Sequence, residues 1–309
     1  MRTISLSGES LSGTAQIPDN VVYAFNLNYV TLSIEDSYTG VLNLSVTDGN
    51  LNYDIDVTVF NGGAKCYISR LLQILFDDYV NTRSKNVDMV LKTAGGTTLG
   101  SWQFLVLWAA IEPGNKYGYY LPIANDVNWA GKEVREVVWF KNMPQKLSYF
   151  TGNAIVEVPM SGNAPISSIK IIPCEDTDGT YLRWLDNYGF WQYFLFESGQ
   201  RKSKNKLGGV SIDAEYSIGG VIHQAQRSTH IENTDTITCC AVSLKKEILA
   251  YVETIYKSPH IEYYVGKVNG SEVWKPVNID SGNVAIAADR RLYDYEISIT
   301  MPETQVQTI

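Results

Sequence analysis

Apolar and polar residues alternate singly along much of this chain, the period-two pattern of strands with one covered and one wet face. It is clearest at residues 51–60, where Tyr53, Ile55, Val57 and Val59 share a face opposed by Asp54, Asp56 and Thr58. Shorter β-rich runs at residues 21–25, 30–34 and 41–46 precede it, and Asp48-Gly49 is a strong hairpin signal, so residues 1–60 read as a β-meander. The pattern switches to the helical period twice. Over residues 67–80 the stripe is Ile68, Leu71, Leu72, Leu75, Phe76, Tyr79 and Val80, with Arg70, Gln73, Asp77 and Asp78 opposite. Over residues 243–257 it is Leu244, Ile248, Tyr251, Val252 and Ile255, with Ser243 as N-cap and Ser258-Pro259 as the stop.

Strand patterns fill most of the remainder, at residues 87–91, 102–108, 133–140, 154–160, 166–172, 212–221, 235–242, 262–268, 271–279 and 293–301. Gly95-Gly96 and Asn269-Gly270 mark tight turns. Residues 112–133 are rich in Gly, Pro, Asn and Tyr without a period, as in a linker or an ordered loop excursion. The predicted architecture is mainly β: two antiparallel β-sandwich or β-barrel domains, 1–138 and 139–309, each with one amphipathic helix packed on its sheet. No repeat of fixed period links the two halves.

Residues 180–196, TYLRWLDNYGFWQYFLF, are the most distinctive stretch. Two aromatic-rich alternating runs flank Asp186-Asn187-Tyr188-Gly189, which reads as a β-hairpin with a four-residue loop. Tyr181, Trp184, Asp186, Gly189, Trp191 and Phe196 are its architectural positions, and its rings are expected in a core. The exit, ESGQRKSKNKLGG, reads as a short loop that gathers Arg201, Lys202, Lys204 and Lys206. In an acidic chain that cluster is the candidate subunit contact, able to meet an acidic surface of a neighbouring copy.

Composition narrows the function classes. Of 309 residues, 45% are hydrophobic and only 19% charged, with 20 Tyr, which suits sheets whose outer faces are neutral and polar. The net charge of −8 argues against nucleic-acid binding by the whole surface, though an acidic channel would let DNA pass without sticking. MRTISLSGES lacks the apolar core of a signal peptide, and no run approaches the length of a membrane span, so cytoplasmic synthesis and no membrane insertion are expected.

Catalytic patterns are missing. Cys66, Cys174, Cys239 and Cys240 have no metal or redox spacing, and His223, His230 and His260 are scattered, although His223 and His230 could meet across a turn. Asp176-Thr177-Asp178-Gly179 begins like a calcium loop but lacks the later ligands and the closing Glu. Nucleophile-elbow, P-loop and dinucleotide signatures do not occur. The expectation is a non-enzyme without metal or cofactor. Two other classes compete with a structural role: a carbohydrate-binding or adhesin module, with Trp102, Trp129 and Tyr117, Tyr119 and Tyr120 as sugar-stacking rings, and a polysaccharide-degrading enzyme.

The hairpin with its surroundings resembles a motif of tail proteins from tailed bacteriophages and prophages of Bacteroidetes. In GTYLRWLDNYGFWQYFLF, residues 179–196, Asp186 stands for the usual Asn and Phe190 for a second Gly. Upstream, VVWFKNMPQKLSYF at 137–150 is similar to the entry strand of that module. Downstream, KSPHIEYYVGKVNGSEVWKPVNI at 257–279 is similar to the helix, Ser-Pro, strand and Pro-Val succession of distal tail or baseplate-hub β-barrels. The resemblance covers about residues 137–300. It implies a virion component assembled in the bacterial cytoplasm: a homo-oligomeric ring, a hexamer or another multiple of three, around the tail channel, contacting other tail proteins while DNA passes through.

Overall fold

The computed structural model describes residues 1–8, 10–35, 37–110, 135–163, 169–280 and 292–302. The protein is mainly β, with several antiparallel sheets, one of them curved into a half-barrel.

The first half runs β1 (Arg2–Ser7), β2 (Ser12–Ile17), β3 (Val21–Tyr23), β4 (Tyr29–Ile34), β5 (Gly40–Thr47), β6 (Asn52–Val59), β7 (Gly63–Tyr67), α1 (Ser69–Ile74), β8 (Ser84–Thr93) and β9 (Thr98–Leu107). These form two sheets, β1-β2-β4-β7 and β3-β9-β8-β5-β6. Leu6, Ile17 and Leu32 of the first meet Leu44, Met89 and Phe104 of the second in one core. The first sixty residues are therefore no simple meander. The chain steps between two layers, because each sheet can bury its apolar face only against the other.

The second half runs β10 (Arg135–Phe140), β11 (Lys146–Phe150), β12 (Ile155–Pro159), β13 (Ile169–Cys174), β14 (Thr180–Leu185), β15 (Trp191–Ile218), β16 (Val221–Leu244), α2 (Lys246–Val252), β17 (Ile261–Val268), β18 (Ser271–Pro276), β19 (Asn278–Ile279) and β20 (Tyr293–Thr300). Seven strands join in the order β18-β17-β14-β15-β16-β20-β19. Two small pairs flank them: β10 parallel to β13, and β11 antiparallel to β12. Aromatic rings of β14 and β15 fill the core together with Leu249 and Val252 of α2 and Tyr295 and Ile297 of β20. Position 138 lies inside β10, which its pairing with β13 ties to the second half.

Both helices are shorter than their periodicity predicts. The stripe of 67–80 buries Ile68, Leu72, Leu75 and Phe76, yet the helix stops at Ile74. Lys85 Nζ donates to the Leu75 carbonyl, and Asn81 bonds the Asp78 carboxylate in the turn that follows, so side chains take over the role of the helical ladder. In the second stripe Ser243 is not the cap. Its backbone sits at φ +57 and its N–H bonds Asp294, and α2 begins after Lys245 before tightening into a 3-10 turn over Glu253–Lys257.

Candidate functional site

The β14–β15 hairpin is the root of the candidate site. Its register pairs Thr180 with Phe196 and Leu185 with Trp191. Sequence alternation gives each run two faces, and both are covered. Tyr181, Trp184, Trp191 and Phe196 are buried; the Tyr181 hydroxyl donates to the Pro144 carbonyl and Trp184 Nε1 donates to Thr254 Oγ1 at 2.9 Å. Asp186 organises the turn: Oδ1 accepts from the Tyr188 and Phe190 N–H groups, and Oδ2 accepts from Gln192 Nε2 at 2.6 Å. Gly189 has φ +75, and a Cβ there would lie 2.6 Å from the Trp108 carbonyl oxygen. Only glycine meets both conditions. Gly179 has φ +151 and a Cβ there would meet the Phe196 carbonyl at 2.2 Å, so Asp176-Thr177-Asp178-Gly179 is the lead into a strand.

Arg183 is the one charged side chain of the paired run. Its guanidinium lies between the Trp191 and Trp274 rings, 4.5 and 4.2 Å from their centroids, and pairs with Glu262. Glu262 also bonds His260 Nε2 at 2.9 Å, and His260 Nδ1 lies 3.3 Å from the Tyr79 hydroxyl of the first half. Burial by itself raises the Glu262 carboxyl, but the hydrogen bonds and charges of His260 and Arg183 outweigh it and hold the group below its ordinary 4.5. Tyr79 in turn stacks on Trp108. The polar chain thus ties the hairpin to the other half without presenting an unoccupied acid or base to a substrate.

Beyond the root, β15 and β16 continue as a projecting arm. β14 covers β15 only at residues 191–196, and β20 covers β16 only from Thr236 onward. Between these limits and the turn at Gly219-Gly220, the two strands pair only with each other among the described residues. The arm reaches roughly 50 Å by strand rise. It corrects two readings of the sequence. Arg201, Lys202, Lys204 and Lys206 lie in β15 and not in a short loop, and residues 212–221 are not one strand but cross the arm's tip.

Each basic residue has a defined place. Arg201 pairs with Asp235 across the arm at 2.5 Å, while Lys202 and Lys204 are exposed and stand opposite Thr236 and Thr234. Lys206 stands in register with Glu232. At the tip Tyr216, Ile218, Val221 and Ile222 are all exposed, Ile222 by 69%. His223 stacks on Tyr216 with centroids 5.4 Å apart. His223 and His230 do not face each other across a turn, because both lie on β16, opposite Tyr216 and Gly208.

Trp102 is only 7% exposed and packs inside the sandwich, so it offers no sugar platform; Trp129 and Tyr117, Tyr119 and Tyr120 lie outside the described residues. Cys174 and Cys240 line a groove at the arm's root with Glu175, Asp176 and Glu197. Burial raises both thiols, and the neighbouring carboxylates also raise them, which disfavours the nucleophilic thiolate. Among the described residues no three His, Cys, Asp or Glu side chains converge as metal ligands, and no helix is long and apolar enough to cross a membrane. The arm itself escaped sequence reading; Gly219-Gly220 between two polar β-rich runs is the signal that marks its tip. No protein-family model and no curated protein sequence matches the chain.

Proposed function

We propose that the chain is a structural subunit of a phage-type tail, forming a ring around the tail channel and connecting the tube to tail-tip or adhesin proteins. The observation that carries this reading is the arm. A two-stranded ribbon is at best marginally stable alone in water, and both of its edges offer unpaired backbone groups. Exposed Tyr216, Ile218 and Val221 on one face of its tip, with exposed Ile222 on the other, add apolar surface of the kind that marks protein contacts. Such an arm serves assembly, where a neighbour covers it.

Two further observations agree. The residues that carry the resemblance, 179–196, form the root of the arm and the centre of the seven-stranded sheet. The net charge of −8 suits a lumen through which DNA moves without adhering. In this reading the protein resides in the virion after assembly in the bacterial cytoplasm, and its partners are copies of itself and other tail proteins. Negative-stain images of the purified chain test it. Closed rings of six, or another multiple of three, are expected; isolated monomers at micromolar concentration contradict it.

A further inference from the structure

The arm has two unlike faces, and a single irregularity creates the difference. On β16, which is regular here, positions 224, 226, 234 and 236 fall on one face by strand alternation. Lys202 and Lys204 stand opposite Thr236 and Thr234, and Asp213 and Glu215 stand opposite Gln226 and Gln224. Lysines near the root and carboxylates near the tip therefore share that face. They do so because β15 carries one extra residue between Gly208 and Ser211. Without this bulge, Tyr216 and Ile218 would stand on the lysine face.

We propose that this charged face binds the same face of the arm of a second copy running antiparallel, with Lys204 of each copy opposite Asp213 of the other and Lys202 opposite Glu215. The inference rests on the reading of the arm as an assembly contact, and it names the partner and the register. Charge complementarity chooses both. The two patches lie about 30 Å apart along the ribbon. In-register parallel arms would set lysine against lysine and carboxylate against carboxylate. Antiparallel arms match both patches at once in a self-complementary, two-fold contact, which joins copies in pairs, while a separate heterologous contact of the sheet domains closes the ring.

The geometry fixes the crossing point as well. The midpoint between the patches on β16 is position 230, whose register partner is Gly208, and Gly209 follows it. At that level one strand of each ribbon is glycine, opposite His230 of the other strand. Lys202, Lys204, Asp213 and Glu215 are all exposed in the single chain. Ile222, on the same face, is covered in the pair.

Charge reversal on the 309-residue chain tests the pairing by sedimentation velocity at low salt. Lys202→Glu with Lys204→Glu makes both patches negative, and Asp213→Lys with Glu215→Lys makes both positive. Each double variant alone is expected to weaken association at least about tenfold, and an equimolar mixture of the two is expected to restore it. Lys204→Cys mixed with Asp213→Cys is expected to cross-link on oxidation, well beyond either variant alone and beyond the wild-type chain. Wild-type-like association of each double variant alone overturns the proposal, as does a mixture that stays apart, a monomeric wild type, or cross-linking of Lys204→Cys with itself. If a chain lacking the arm also assembles normally, the assembly reading falls too. If that chain fails to assemble while charge reversal has no effect, only the charged-face pairing falls.

Discussion

Asp186 holds three donors at the turn of the root hairpin, two backbone N–H groups and the Gln192 amide. Asp186→Ala removes that acceptor from a largely buried turn, and is expected to cost about 2–3 kcal/mol in chemical denaturation. Asp186→Asn keeps Oδ1 for the backbone, and Gln192 can reverse its amide to meet the new NH₂, so a loss below about 1 kcal/mol is expected. Glu262 gives a pH dependence. Its carboxyl is held below 4.5 in the fold, so its stabilisation is fully present above that value and is lost as pH falls through the lower folded value. Glu262→Gln is expected to flatten the acid limb of a stability–pH curve measured from pH 7 to pH 3. An unchanged slope would show that its pairing with Arg183 and His260 carries no such linkage.

At the scale of elements, the sequence is most legible where burial is one-sided or turns are short. The strand over residues 51–60, the Asp48-Gly49 and Asn269-Gly270 turns and the aromatic hairpin all have local causes: alternation, positive-φ residues and β-branched or aromatic runs. The helix lengths were not legible, because Lys85 and Asp294, distant in sequence, intercept the backbone groups at their ends. The arm was hidden for a different reason. Its root strand carries RKSKNK, whose lack of apolar alternation looks like a loop when no sheet face needs covering. Its charged face depends on a bulge, and a one-residue bulge leaves no mark in hydrophobic periodicity. Of the candidate site, the residues were visible but their joint placement was not.

At the scale of the whole molecule, the two halves meet through a mixed interface. Leu105, Leu107 and Ala109 of the first pack on Phe150 and Phe190 of the second. Arg83, 3% exposed, pairs with Glu157 of β12 and also donates to the Val80 carbonyl. Burial lowers the Arg83 pKa and the Glu157 charge offsets part of that effect, so the pair stands or falls together. Arg83→Ala would leave Glu157 without its main partner, and is expected to destabilise the protein by about 3–5 kcal/mol in urea melts; a loss under about 1 kcal/mol would show that the interface does not depend on the pair. This joint anchors the hairpin root from which the arm leaves.

The arm contributes no described side chain between residues 203 and 234 to any of the four buried clusters. Removing it should therefore spare the fold and remove only what it does for assembly. The most direct measurement is native mass of the full chain against one in which Ser203 joins Asp235 through an Asn-Gly turn. The prediction is an oligomer for the full chain and a folded species of at most half that mass, with unchanged far-ultraviolet β signal, for the shortened one. Equal assembly of the two would contradict the claim that this arm is a contact on which the assembly depends.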